Sequence, residues 1–358
     1  MKGFRTASIV SIFLLLMGLS LLAGVQEAVA APAPKPPTPI VLKFNSWVQE
    51  GITYARCMDW YLTEVEKASG GRVKFERYWS SSLVPARKEL DGLNKKIVDL
   101  ASIFLAYTPA ELPLSNAASL PVINANVWTG ETAYIELNEL PAIQKELAKL
   151  KVKFLAPLST SSQEVITNVP INSIDDFKGL KIRATGTNAE VLKGIGAVPV
   201  TMATAEMYTS MERGTIQGVL GSIASHGDYK LHDVAKHLTI AGFGGAMAMM
   251  AIHVDVWNKL PPEIQGIMLK VGKEAPKPHY RIYTIENDGK FINEVFPKAG
   301  VKVTTLSATD KAALREKGGR PVWDKWANGA EEKGLPGKEV LQKWMSLYKK
   351  YETLPPFK

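Results

Sequence analysis

Apolar and polar positions form strand-like and helix-like patterns in turn through the first part of the chain. Residues 40–44 and 73–78 suit strands, whereas residues 54–68 place their apolar side chains at helical spacing. Residues 85–93 can form a helix opened by a proline, and residues 97–105 form an apolar run typical of a strand buried on both faces. This order predicts a mainly parallel sheet covered by helices.

A second alternating unit follows and leads into a helical C-terminal part. Its predicted strands, together with the strand that leads back to the first unit and one late strand, are residues 164–168, 181–183, 216–220, 246–252 and 301–305. The predicted helices are residues 189–194, 204–213, 226–235, 262–273, 279–299 and 324–351. We therefore predict two α/β domains joined by more than one crossing. Domain I is residues 40–160 plus 247–286, and domain II is residues 161–246 plus 287–358. Architectures of this kind bind small ligands in the cleft between domains.

The N-terminus has the pattern of an export signal. Two basic residues precede an apolar run at residues 9–25, and Ala28-Val29-Ala30 is a small-x-small cleavage pattern. We predict a cleaved signal peptide at residues 1–30, a proline-rich leader at residues 31–39 and a periplasmic mature protein. An uncleaved membrane anchor is the alternative, because the apolar run is nearly long enough to span a bilayer.

Charge and cysteine content exclude some partners and some ways of stabilising the fold. The formal net charge of the 358 residues is +8, of which Lys2, Arg5 and Glu27 in the predicted signal contribute +1, leaving +7. The basic residues are dispersed among acidic ones and do not interleave with aromatic residues, which argues against a nucleic-acid groove. A single cysteine, Cys57, rules out an internal disulfide. A mild positive field could help to recruit anionic small molecules.

Arg183 is the first candidate for a binding residue, because it lies at a predicted strand end beside a predicted helix start. Gly186, Thr187 and Asn188 break the strand and offer cap residues for the helix. Unpaired N–H groups and the helix dipole favour an anion there, and a guanidinium suits a carboxylate or a phosphate. The plain alternative is a surface arginine in an ordinary strand-to-helix loop.

No catalytic constellation accompanies Arg183 in the sequence. Ser222, Ser225 and His226 are close along the chain, but they lack the Gly-x-Ser-x-Gly turn of a hydrolase. The glycine-rich residues 242–245 lack the pattern of a nucleotide-binding loop, and we interpret them as a hinge or a tight loop. We therefore predict that the protein is not an enzyme and has no cofactor.

Several motifs together resemble a known family. The main ones are Gly179-Leu-Lys-Ile-Arg183-Ala-Thr-Gly-Thr-Asn188, Gly196-Ala-Val-Pro199-Val, Ala205-Glu206-Met-Tyr208, Ser69-Gly-Gly-Arg-Val73 and Leu260-Pro-Pro-Glu-Ile264. In order and spacing they resemble the DctP-like substrate-binding subunits of tripartite ATP-independent periplasmic (TRAP) transporters. The resemblance covers almost all of the predicted mature chain. It implies an α/β two-domain periplasmic-binding-protein fold, type II-like, that closes on a carboxylate held by Arg183.

The resemblance also implies which other residues line the pocket. A second arginine of the family's acid-sugar binders falls at Gln163, an asparagine falls near Gly221, and an aromatic platform falls at Thr204. The remaining predicted binding residues are Trp47, Phe104, Tyr107, Asn188 and Phe243. The pocket is thus predicted to be less polar than in those binders, which favours a monocarboxylate with an apolar or aromatic body. The alternative is that Trp47, Phe104 and Tyr107 belong to the core.

The predicted function is a periplasmic receptor that delivers an organic carboxylate to a TRAP permease. The alternatives are a receptor that presents its ligand to a sensor kinase and, less favoured, a periplasmic enzyme. No metal is expected, because the Glu-Trp pair that accompanies a metal in some relatives is replaced by Gly221-Ser222. A monomer is favoured, because Gly329, Gly334 and Pro336 interrupt the C-terminal helix through which some relatives dimerise.

Overall fold

The computed structural model describes residues 38–124, 126–354 and 356. The predicted signal peptide and most of the leader lie outside these residues. The described residues from Pro39 onward belong to one compact unit. Within the described part of the chain, no helix combines the length and the apolar character that crossing a membrane requires.

The described strands form two separate sheets. They are β1 Ile40–Asn45, β2 Val73–Tyr78, β3 Leu100–Phe104, β4 Val152–Ser159, β5 Gln163–Thr167, β6 Lys181–Arg183, β7 Val198–Val200, β8 Gly218–Ser222, β9 His237–Ile240, β10 Met247–His253 and β11 Lys302–Thr305. Sheet A has the strand order β2-β1-β3-β10-β4, and sheet B has the order β11-β9-β5-β8-β6-β7. Two sheets covered by helices, with β10 belonging to sheet A, agree with the predicted fold class.

Both sheets are mixed, whereas the sequence pattern predicted mainly parallel pairing. In sheet A, β10 is antiparallel to β3 and β4, and in sheet B, β5 is antiparallel to β8 and β9. All seven residues of β10 are buried. A strand covered on both faces reads as a continuous apolar run whichever way it points, so the sequence pattern did not reveal its direction.

The helices cover both sheets. They are α1 Thr53–Ala68, α2 Glu89–Asn94, α3 Val127–Leu137, α4 Pro141–Lys149, α5 Asn188–Gly194, α6 Met207–Glu212, α7 Ile223–Asp228, α8 Val254–Trp257, α9 Pro262–Glu274, α10 Pro276–Tyr280, α11 Phe296–Lys298, α12 Ala308–Leu314, α13 Arg320–Glu331 and α14 Gly337–Glu352. Short 3-10 turns are Leu105–Tyr107, Ser115–Ser119, Ile174–Phe177, Thr204–Glu206 and Leu231–Asp233. The helix predicted at residues 226–235 instead stops at Asp228, because Lys230 takes a left-handed conformation with φ of 53°.

A long, nearly continuous helical segment runs from α9 through α10 to α11. Its middle consists of π-helical turns at Arg281–Asp288 and Phe291–Val295. The sequence pattern predicted two helices here, and the structure joins them. Tyr283 and Asp288 lie on the buried side of this segment. Wide π turns inside helices are frequent at functional sites, so these two side chains bear on the site described below.

Two C-terminal helices close the fold. Gly329, predicted to interrupt this region, lies inside α13 without breaking it, and the break falls after Glu331. A glycine inside a helix costs about 1 kcal/mol relative to alanine, which the packing of neighbouring residues can offset. The last helix, α14, packs on α3, where Glu136 accepts hydrogen bonds from Lys350 Nζ at 2.7 Å and from Tyr351 Oη at 2.8 Å.

Two chain crossings between the sheets run side by side. One connects β4 to β5 and the other connects β9 to β10. The N–H of Thr160 donates to Ala246 O at 3.0 Å, and the N–H of Gln163 donates to Gly244 O at 3.0 Å. A Cβ atom on Gly245 would meet Thr160 O at 2.5 Å, so the two backbones approach each other closely only because this residue is glycine.

Candidate ligand-binding site

A cavity opens where strand ends of the two sheets meet the long helical segment. Its empty volume is about 600 Å³ when the open mouth is included. Trp47, just after β1, and Phe104, at the end of β3, come from sheet A. Gln163 and Arg183 come from sheet B, with Thr204 from the turn that follows β7. The cavity thus combines aromatic rings with a few polar groups.

Arg183 is buried in the wall of this cavity and is not a surface residue. Only 6% of its surface is exposed. Its Nε and Nη2 atoms each donate to Met202 O at 3.3 Å, and Nη2 is 3.5 Å from Thr204 Oγ1. Within the described ranges, no carboxylate lies within 4 Å of its guanidinium. Burial lowers the pKa of Arg183 from its usual value, yet an arginine keeps its proton in proteins. The cavity therefore contains a positive charge that lacks a counter-ion.

The helix after Arg183 does not provide the predicted cap. Helix α5 has seven residues, and Thr187, at its N-cap position, makes no side-chain cap hydrogen bond. Instead, Thr187 Oγ1 donates to Ser119 O at 3.4 Å. Asn188 does not line the cavity, but its Nδ2 atom donates to Gln163 Oε1 at 3.2 Å. Asn188 therefore does not contact the cavity directly but positions the side chain of Gln163, which lines it.

Three aromatic residues of sheet A cluster on one side of the cavity. Ring centroids are 5.3 Å apart for Trp47 and Phe104, 5.6 Å for Trp47 and Tyr107, and 4.9 Å for Phe104 and Tyr107. Trp47 and Phe104 line the cavity, whereas Tyr107 packs against their rings and is not part of the lining. Such edge-to-face and tilted contacts stabilise a rigid apolar wall.

Gln163 and Gly221 lie on neighbouring strands of sheet B, one position out of register. Gln163 opens β5 opposite Ser222 of β8, and its side chain lines the cavity with 8% of its surface exposed. At Gly221 a Cβ atom would come within 3.2 Å of His226 Cε1, so a larger residue would require His226 to move. The floor between them therefore carries an amide but no charge.

Phe243 differs from the expectation, because it is fully buried and does not line the cavity. Its N–H donates to Gln163 O at 3.1 Å, and its carbonyl accepts the N–H of Val122 at 2.8 Å. These bonds hold the segment between β9 and β10 in place. The Phe243 ring lies in the core, where its centroid is 5.9 Å from that of Phe177. We assign Phe243 to packing.

Sequence reasoning missed several residues of the cavity wall. Asp228 and Tyr229 at the end of α7 line it, as does Tyr283 from the π-helical turn. Arg87, in the loop before α2, does not line the cavity but places its guanidinium 4.7 Å from the Tyr107 ring centroid. Its positive charge contributes to lowering the pKa of Arg183. None of these residues lies in a recognisable motif. The proximity of Asp228 to the serine-rich residues 222–225 was the available signal.

The serines near His226 do not form a nucleophile and base pair. Ser222 Oγ lies 2.6 Å from Tyr283 Oη and accepts the N–H of Ser225. His226 is fully buried, and its Nε2 atom lies 3.0 Å from Glu164 O. Burial lowers the pKa of His226 to about 4, so the imidazole is neutral at pH 7. Among the described residues, His226 Nδ1 has no hydrogen-bond partner, so neither serine is bonded to it.

Comparison with known proteins agrees with the two-sheet fold. Residues 49–329 match the family described as "Bacterial extracellular solute-binding protein, family 7", DctP. A solute-binding protein of Albidiferax ferrireducens is 28% identical over 269 residues, covering 73% of this chain and 77% of that protein. The C4-dicarboxylate-binding periplasmic protein DctP of Rhodobacter capsulatus is 25% identical over 303 residues, covering 83% and 90%. A TRAP solute binding protein from Rhodoferax ferrireducens in complex with copurified benzoate has a TM-score of 0.80 at 21% identity, covering 88% of this chain and 99% of that chain.

The family match spans most of the chain, so this protein belongs to the DctP family of TRAP periplasmic solute-binding proteins. The predicted family and fold are confirmed. Proteins of this family are not enzymes, and they bind small organic acids.

Proposed function

We propose that this protein captures an organic monocarboxylate with an apolar or aromatic body and delivers it to a TRAP-type permease. The observation that carries the proposal is the buried guanidinium of Arg183, without an acidic partner in the described residues, in a cavity walled by Trp47 and Phe104. A carboxylate would supply the missing partner through charge-assisted hydrogen bonds, and an apolar body would cover the rings.

The wall of the cavity favours one carboxylate over two. Among the described residues that line it, Arg183 is the one cationic side chain, and Gln163 stands where the resemblance implies a second arginine. A second carboxylate would be buried without a cation and near Asp228, which is unfavourable. Benzoate bound to a protein of the same fold supports an aromatic acid. The dicarboxylate-binding relative makes a C4-dicarboxylate the competing ligand.

We propose further that the two sheets are the cores of domains with the predicted bounds, and that these domains close on the ligand. Closure would exclude water and strengthen the pair between Arg183 and the carboxylate. We propose that the closed form is the one that the permease recognises. Presentation to a sensor kinase is the alternative, and uptake of the acid by cells that carry or lack the cognate permease separates the two.

The proposal also covers the location of the protein, its oligomeric state and its need for metal. We propose that the signal peptide is cleaved before Ala31, that the mature protein is a periplasmic monomer, and that it needs no metal. N-terminal sequencing of the exported protein, light scattering after size-exclusion chromatography, and binding in the presence of a chelator test these three points separately.

Calorimetric titration with matched acids tests the central proposal. The panel contains benzoate, phenylacetate and hexanoate as monocarboxylates, and succinate and malonate as dicarboxylates. We expect at least one monocarboxylate to bind more tightly than either dicarboxylate, and the Arg183→Ala variant to bind none of them. Tighter binding of succinate or malonate would overturn the ligand class, and unchanged binding by Arg183→Ala would overturn the site.

A further inference from the structure

Asp228 places a second charge, of opposite sign, in the wall of the cavity that contains Arg183. It is the last residue of α7, and its Oδ2 atom accepts the N–H of Thr53 at 2.9 Å. Within the described ranges it forms no ion pair within 4 Å. Arg56 attracts it electrostatically but is itself paired with Glu286 at 2.8 Å. Asp228 is therefore a carboxyl group in the wall of the cavity with little compensation from the protein.

The surroundings of Asp228 are polar and acidic. Ser225, one turn earlier on α7, and Tyr283 line the cavity with it. Asp288 accepts the N–H of Ala224 at 2.8 Å, and its pKa is raised to about 7, mainly by burial and in part by the charge of Asp228. Burial likewise raises the pKa of Asp228. A hydrogen-bond donor or a cation beside Asp228 would offset the cost of burying its charge.

Arg183 and Asp228 line the same cavity without pairing with each other. They form no ion pair with each other within 4 Å, and Tyr229 lies near both. Burial raises the pKa of Tyr229 to about 12, with the charge of Asp228 raising it further and the charge of Arg183 lowering it. A ligand that contacts both charges must therefore carry two different polar groups, an anionic group for Arg183 and a donor for Asp228.

We infer that the ligand carries a hydrogen-bond donor, a hydroxyl or an amino group, in addition to its carboxylate, and that Asp228 selects for this group. The inference rests on the proposed function, because Arg183 must take the carboxylate. A hydrogen bond to a charged group contributes about tenfold to a hundredfold in affinity. A wholly apolar end would displace water from Asp228 and replace it with no donor, which weakens binding.

Matched pairs of acids test this selection. The pairs are benzoate and phenylacetate against their 3-hydroxy, 4-hydroxy and 4-aminomethyl derivatives, titrated into the full mature protein. The variants are Asp228→Asn, which keeps an acceptor for the N–H of Thr53, and Asp233→Asn, an exposed control outside the cavity. We expect at least one substituted acid to bind the native protein about tenfold more tightly than its parent.

The outcome is decided by the preference ratio, which is the affinity for a substituted acid divided by the affinity for its parent acid. In Asp228→Asn the ratio should fall to about threefold or less, because the parent acid no longer meets a charged group without a donor. Circular dichroism and thermal unfolding of the ligand-free variant report whether its fold is intact. Asp233→Asn should keep the native ratio. Equal binding of parent and substituted acids by the native protein would overturn the inference. A native ratio in Asp228→Asn would also overturn it, and would assign Asp228 to holding Thr53.

Failure of the underlying function would look different. In that case a dicarboxylate would bind more tightly than every monocarboxylate of the panel, or Arg183→Ala would bind acids normally, and the inference about Asp228 would fall with it. A lower preference ratio in an Asp228→Asn variant that still binds the parent acid would not result from a failure of the proposed function.

Discussion

The guanidinium of Arg183 donates from two of its nitrogens, Nε and Nη2, to the same carbonyl oxygen of Met202, each at 3.3 Å. These bonds fix the plane of the group without a ligand. The Nη1 atom makes no hydrogen bond within the described part of the chain. A side chain held in place before binding loses less conformational freedom when the carboxylate arrives.

Replacing Arg183 should therefore affect binding and stability in opposite directions. Arg183→Ala should weaken carboxylate binding at least a hundredfold, and Arg183→Lys about tenfold, since an ammonium cannot hold both oxygens in one plane. The ligand-free Arg183→Met variant should be about 1 kcal/mol more stable than the native protein, because it removes a buried charge without a partner. Calorimetric titration and urea unfolding measure the two effects.

Arg213→Ala is the matched control for these variants, because Arg213 is exposed and does not line the cavity. It should change neither quantity. Native affinity in Arg183→Ala, or a large loss of stability in ligand-free Arg183→Met, would show that Arg183 supports the fold rather than the ligand.

The aromatic wall should distinguish ligands by their bodies. Phe104 lines the cavity, whereas Tyr107 packs behind it. Phe104→Leu should weaken binding of an aromatic acid about tenfold, because it loses ring contact, but should weaken binding of propionate less than about twofold. Tyr107→Phe keeps the packing ring and should change neither. Equal losses for both acids in Phe104→Leu would indicate a general defect of packing and not a contact with the ligand body.

Glu89 should make the protein less stable as pH rises. Its side chain is almost fully buried, Oε1 has no hydrogen-bond partner among the described residues, and burial raises its pKa to about 7. The folded state therefore holds a proton that the unfolded state releases near pH 4.5. The contribution of protonated Glu89 to the free energy of unfolding is therefore complete below that pH. It is lost between about pH 4.5 and 7, by up to about 3 kcal/mol.

Glu89→Gln should remove this part of the pH dependence and stabilise the protein at pH 8. Urea unfolding of both proteins at pH 5 and pH 8 measures the difference. Glu339→Gln, on an exposed position of α14, is the control and should leave the pH dependence as it is. A native slope in Glu89→Gln would contradict the assignment.

The crossings between the sheets should be sensitive to one methyl group. At Gly245 a Cβ atom would lie 2.5 Å from Thr160 O and 2.8 Å from Asn124 Nδ2, so the backbones must separate. We expect Gly245→Ala to lower the free energy of unfolding by about 2 kcal/mol. Gly266→Ala, inside α9 with nothing within 4 Å of its Cβ atom, should instead stabilise by up to about 1 kcal/mol. Thermal and urea unfolding distinguish the two, and equal effects would refute the close approach.

Local patterns were sufficient for much of the fold, and they led to Arg183 as the candidate anchor of the site. Strand β6 and the start of α5 follow from alternation and from a glycine break, and these features directed attention to Arg183. The directions of β5 and β10 did not follow, because apolar runs report burial and not orientation. The two helices predicted at residues 262–273 and 279–299 merged, because the residues between them lie at the end of α9 and in α10 and remain helical.

By itself, the sequence determined the α/β class and the family, and it directed attention to Arg183 as the proposed ligand anchor. Those properties depend on residues that are close along the chain. The tertiary structure decided that Phe243 packs in the core, that Asn188 acts through Gln163, and that Asp228 shares the wall of the cavity with Arg183. These relationships join residues from different strands and helices, so they depend on how the sheets pack, which no local pattern of apolar and polar residues specifies.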